Sequence, residues 1–208
     1  MLSAKRLPSA AGRGDQVRTH WAEVSARPPP GMAGDHRLRD AGRRLPEECP
    51  APSPETTFVS YLVALPARDL VIAAHQQVTR DWWQRRRTQF RLVISQVVLH
   101  EISAGDDSEV RKRLELVRPL DALSASPDAE TLTTAIIEAG VLPEMAVRDA
   151  AHIALATVHG IQYLLTWNCR HLANAQVSRR VARIFSEHGF VMPIICTPEE
   201  LFEETDDD

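Results

Sequence analysis

The sequence predicts an α/β fold built on a mainly parallel sheet, and three observations carry that expectation. From Glu55 onward, short apolar runs rich in strand formers alternate with amphipathic stretches at helical spacing, the order expected of successive β-α units. The helical stretches open on residues that cap helices and close on glycine. With 44% hydrophobic residues in 208, the chain can bury one sizeable core, while no apolar run reaches the roughly 18 residues that a membrane span needs.

The elements follow in order. Residues 68–89 read as a helix with Asp69 as N-cap, because Leu70, Ala73, Ala74, Val78 and Trp82 recur at helical spacing. "RLVIS" (91–95) is a short strand, and "QVVLHEISAG" is a helix stopped at Gly105. "DSEVRKRLELV" is a charged amphipathic helix and "PLDAL" a strand. The next helix has Ser126 as N-cap, Pro127 at its first position and Gly140 past its end. "LPEMAVRDAAHIALATVHG" closes on Gly160 and leads into the strand "IQYLLT". "RRVARIFSEHG" is a helix, "FVMPIIC" a strand, and Thr197-Pro198 begins a short last helix.

The first 54 residues differ in composition. They hold 8 of the 14 prolines and 5 of the 9 glycines, and 9 Lys+Arg against 6 Asp+Glu. Without a sustained apolar period this segment has little to bury, so residues 1–54 are expected to be a disordered extension. It has no apolar stretch of the secretory kind, and Asp15, Glu23 and Asp35 argue against a transit peptide. Translation from an upstream start is an equal explanation for it. Four prolines between Pro46 and Pro54 argue against a central strand before Glu55, because proline cannot donate to a ladder. Residues 55–203 are expected to be the folded domain, and 204–208 an acidic tail.

Net charge is -4, so any nucleic-acid site must be local. Cys49, Cys169 and Cys196 lack paired metal spacing, and an odd number suggests reduced thiols in a cytosol-like compartment. No G-x-G-x-x-G follows any strand, which disfavours a Rossmann-like nucleotide binder.

In open parallel sheets ligands bind beyond the carboxyl ends of the strands. Four polar residues stand at such points: Glu55, Glu101 after "RLVIS", Asp149 in "PEMAVRDAAHIALA", and Asn168 after "YLLT". Singly, each has an ordinary reading as a cap, a solvated acid, a partner of Arg148 or a turn residue. Their recurrence at equivalent points of successive β-α units is what marks them as a site.

An acid followed by Thr-Thr, "S-x-x-x-x-x-E" after the second strand, "D-A-x-x-I-A-x-A" and "L-L-T-x-N" together resemble the PIN domain, and most closely the VapC-type toxins of bacterial toxin–antitoxin systems. The resemblance covers about residues 55–203. It implies a PIN-like three-layer fold, a mainly parallel central sheet with helices on both sides, and a Mg²⁺- or Mn²⁺-dependent endoribonuclease acting on RNA. It implies Glu55, Glu101, Asp149 and Asn168 as catalytic positions, the first three as metal ligands, and Thr57 as the hydroxyl that orders the site. It also implies an antitoxin partner, a homodimer and a cytoplasmic location. The alternative is a catalytically weak PIN-like module that only binds RNA or an antitoxin. Independently of the family, clustered carboxylates around an open position suit Mg²⁺, which takes oxygen ligands and keeps several waters.

His152 and His159, seven apart, invite a zinc reading, but no cysteine partner is suitably spaced. His171 is a candidate for the substrate phosphate or for a helix start. "WWQRRR" (82–87) combines aromatics with arginines, yet reads better as a packed helix end than as a phosphate-binding stretch.

Overall fold

The computed structural model describes residues 10–26, 38–39 and 50–202. The chain order is α1 (Ala10–Ala26), β1 (Leu38–Arg39), β2 (Pro52–Pro54), α2 (Thr56–Val63), α3 (Leu70–Arg85), β3 (Val93–Ser95), α4 (Gln96–Ile102), α5 (Asp107–Val117), β4 (Asp121–Leu123), α6 (Pro127–Glu138), α7 (Val147–Val158), β5 (Tyr163–Leu165), α8 (Ala175–Glu187) and β6 (Ile194–Cys196). Local chemistry sets the helix starts. Asp69 accepts from the backbone of Val71 and Ile72, and Ser126 caps α6 with Pro127 at its first position. Gly140 takes φ +60° just past α6, a conformation that side chains with a Cβ disfavour.

Every strand pair among the described residues is parallel, in two three-stranded sheets ordered β1-β4-β3 and β2-β5-β6. The halves meet where β2 runs beside β3, yet no ladder joins them. Proline explains the break. Successive residues of a strand turn their backbone groups toward opposite neighbours. Glu55 donates to the Leu165 carbonyl and Ala51 to the Gln162 side chain, so odd positions face β5. Even positions therefore face β3, and these are Pro50, Pro52 and Pro54, which have no N–H to give. Among the described residues only the Pro50 carbonyl is used there, accepting from Arg91 at 3.2 Å. The expectation that prolines preclude a strand before Glu55 is thus corrected: the strand exists because its donors all lie on the side where a partner waits.

Neighbouring strand residues enter different cores, as the period of two requires. Val93, Leu123 and Leu164 pack with α1, α6, α7 and α8. Ile94 and Ala122 face α2, α4 and α5. Leu165 and Cys196 meet Phe58 and the buried Trp82. Helices thus cover both faces of the strands.

Residues 10–26 depart from the expectation of a disordered extension. They form a helix whose Val17, Trp21 and Val24 are buried in the largest core cluster, against α6 and α7. Burying apolar side chains of this size is worth roughly 1.5–3 kcal/mol each, enough to offset much of the cost of ordering them. The rest of the expected extension, residues 1–9, 27–37 and 40–49, and the expected tail 204–208 lie outside the described residues. Among the described residues no helix is long and apolar enough to cross a membrane, and Cys169 and Cys196 are free thiols.

Candidate functional site

Two groups of polar side chains meet at the carboxyl ends of β2, β3 and β5. The first is built on Glu55. Its position directly after β2 makes it the N-cap of α2, and it is only 5% exposed. One carboxylate oxygen, Oε2, accepts from the Thr57 backbone at 3.1 Å, the Thr57 hydroxyl at 2.6 Å and the Thr166 hydroxyl at 2.9 Å. Glu101 comes from α4, started by the Ser95 cap at the end of β3. It accepts from the Thr56 hydroxyl and lies 3.0 Å from Nε2 of His152. The same nitrogen is 4.0 Å from Glu55 Oε1, and Arg148 reaches the other Glu101 oxygen at 3.9 Å.

The charges in this group are mutually dependent. Burial by itself works against ionised Glu101, but the attraction and hydrogen bond of His152, helped by Thr56 and Arg148, outweigh it and bring the carboxyl from 4.5 down to about 2. Burial likewise works against charged His152, and Glu101, then Glu55 and Asp149, outweigh that and raise its pKa. A protonated His152 between them offsets part of the repulsion between the two carboxylates.

The second group lies one turn back on α7. Asp149 precedes His152 by three residues, a spacing that places both on one helix face. Asp149 accepts from Asn168 Nδ2 at 3.0 Å on one oxygen and from His171 Nδ1 at 2.7 Å on the other. Asn168 Oδ1 in turn accepts from the His171 backbone at 3.2 Å. Thr166 links the groups: its hydroxyl donates to Glu55 and accepts from the Asn168 backbone at 2.9 Å. The α1 helix approaches the same region through His20, buried with its Nε2 unpartnered among the described residues. Burial chiefly, together with the nearby His152, pushes its pKa down to about 4.

Of the residues singled out in the sequence, Glu55 and Glu101 fall in the first group, and Asp149, Asn168 and His171 in the second. Thr57 holds Glu55. Asp149 is not a cap, since α7 begins without a side-chain cap and the carboxylate is spent on Asn168 and His171. Three participants were not identified from sequence: His152 as a partner of the acids, Thr56 and Thr166. His159, its supposed zinc companion, instead bonds the Ser124 carbonyl at 2.9 Å. The helix spacing from Asp149 was the signal that could have brought His152 in. In "WWQRRR", Trp82 is fully buried and Arg87 lies over the Trp83 ring at 5.1 Å, as a packed helix end requires.

Glu55, Glu101 and His152 each offer a ligand atom, all within 4.8 Å of one another. Two carboxylates and an imidazole form a mixed oxygen and nitrogen set. That set suits Mn²⁺ or Zn²⁺ better than Mg²⁺, which prefers oxygen throughout. Comparison with protein-family models, with curated proteins and with solved structures returned no match.

Proposed function

We propose that the protein is a metal-dependent endoribonuclease of the PIN type, the cytoplasmic toxin of a toxin–antitoxin pair. The observation that carries this reading is the Glu55, Glu101 and His152 group at the carboxyl ends of parallel strands, with Asp149, bonded to Asn168, three residues before His152 on α7. Glu55, Glu101 and His152 would hold the ion once the metal displaces the His152 proton, with Asp149 next to them on α7, and Mn²⁺ fits this donor set better than Mg²⁺. Such an ion supplies a more acidic water and stabilises charge on the scissile phosphate.

The chain's own residues divide the remaining work. Thr57 and Thr166 fix one oxygen of Glu55, leaving the other turned toward His152. A neutral His171 donating from Nδ1 to Asp149 would carry its lone pair on Nε2. His171 is part exposed, which leaves Nε2 able to take a proton from an incoming water or hydroxyl. The exposed Leu65, Leu70, Val71 and Ile72, between α2 and the start of α3, support a protein partner, an antitoxin or a second copy.

One observation favours the weaker alternative, a module that binds RNA without cutting it: both Asp149 oxygens are already engaged by Asn168 and His171. Mn²⁺ titration of single-stranded RNA cleavage by purified protein separates the two. The nuclease reading expects cleavage that rises with Mn²⁺ and is abolished in Asp149→Asn with an unchanged far-UV spectrum. Binding without cleavage at any Mn²⁺ concentration leaves only the binding module. A variant as fast as the parent removes Asp149 from the machinery.

A further inference from the structure

Beside the acidic groups lies a column of three aromatic rings that their chemistry does not use. His75 of α3 stacks on Trp167 with ring centroids 4.0 Å apart and planes 14° from parallel. Tyr61 of α2 continues the column at 6.4 Å and 30° from His75. The bottom ring is rigidly held. The Trp167 backbone donates to the Thr57 hydroxyl at 3.1 Å, its indole N–H donates to Thr79 at 2.7 Å, and Trp167 is only 8% exposed.

The column is also tied to the site in position. Trp167 immediately precedes Asn168, and Thr57, which anchors Trp167, is the residue that orders Glu55. Tyr61 follows Thr57 by four residues on α2, so it rises from the same helix face one turn, about 5.4 Å, further out. Tyr61 is the open end. It is half-buried, its hydroxyl has no hydrogen-bond partner among the described residues, and its only ring neighbour there is His75. The column is thus fixed at its base by Trp167 and ends at the part-exposed Tyr61 ring.

We propose that Tyr61, His75 and Trp167 form a stacking platform for an unpaired nucleobase of single-stranded RNA, one helical turn beyond the Thr57 that orders Glu55. An aromatic face accepts any base, so the platform selects for unpaired strands rather than for a sequence. The inference rests on the nuclease reading and specifies which form of RNA the same site takes.

The test is fluorescence anisotropy of a fluorescein-labelled 12-nucleotide oligouridine in EDTA, where no cleavage occurs. Tyr61→Leu and His75→Leu are compared with the parent and with Tyr61→Phe, which keeps the ring. A matching oligonucleotide with abasic sites is titrated against the parent, so that one arm requires no variant to fold. The expected result is weakening of roughly 5-fold or more for both leucine variants and for the abasic strand, the low end for loss of a stacked base. Tyr61→Phe should bind as the parent does, and a 12-base-pair duplex should show no dependence on Tyr61. Equal binding of oligouridine by the parent and both leucine variants, or of the abasic and complete strands by the parent, overturns the platform and leaves the nuclease reading standing. A parent that neither binds nor cuts single-stranded RNA removes that reading, and the platform with it.

Discussion

Replacing Glu101 with glutamine tests the electrostatic core of the site. The change keeps size and one acceptor but removes the charge that holds His152 protonated. In the parent, the Glu101 carboxyl lies at about 2 against an ordinary 4.5, and at ~1.36 kcal/mol per pH unit that difference is about 3 kcal/mol. Breaking a buried ion pair from one side costs a comparable about 3–5 kcal/mol. Glu101→Gln should therefore lower the unfolding free energy by about 3 kcal/mol in urea with EDTA present at pH 5.5. The pH dependence has a definite sign. The raised His152 pKa contributes stability that is present below 6.5 and is lost as pH rises through the folded-state value. Without Glu101, burial should dominate and leave His152 neutral in the fold. The deficit of the variant should then be largest near pH 5.5 and shrink toward pH 9. The buried His20, with its pKa depressed to about 4 chiefly by burial, costs stability as pH falls in both proteins. A deficit below about 0.5 kcal/mol, or one that stays constant or grows with pH, would refute the account of this pair.

Two other predictions concern the helix before the domain and the link between the two halves of the site. Trp21→Ala, at a position 4% exposed in the main core, should cost about 3–5 kcal/mol in urea unfolding; less than 1 kcal/mol would mean that α1 is not part of the fold. Thr166→Val removes a hydroxyl that donates to Glu55 and accepts from Asn168, and should raise the Mn²⁺ concentration needed for half-maximal RNA cleavage on the order of 10-fold. An unchanged Mn²⁺ midpoint would exclude Thr166 from ordering the site.

The sequence by itself determined the alternation of strands and helices from Glu55 onward, because that order is written in local periods and caps. Asp69, Ser126 and Gly140 do in the fold what their residue types dictate. It also marked Glu101, Asn168 and His171, since a polar residue shortly after an apolar strand run is visible one segment at a time, while Glu55, Thr57 and Asp149 stood out through motifs that resemble a known family. Tertiary structure decided the rest, for reasons that local patterns do not carry. Val17, Trp21 and Val24 have helical spacing, but three apolar positions among arginines and glycines become a helix only against the surfaces of α6 and α7. The prolines before Glu55 looked incompatible with a strand until the register showed that Pro50, Pro52 and Pro54 all turn their missing N–H groups to one side. His152 and Thr166 became site residues through contacts across 51 and 111 positions of chain, and only the folded sheet brings such distant residues within a hydrogen bond.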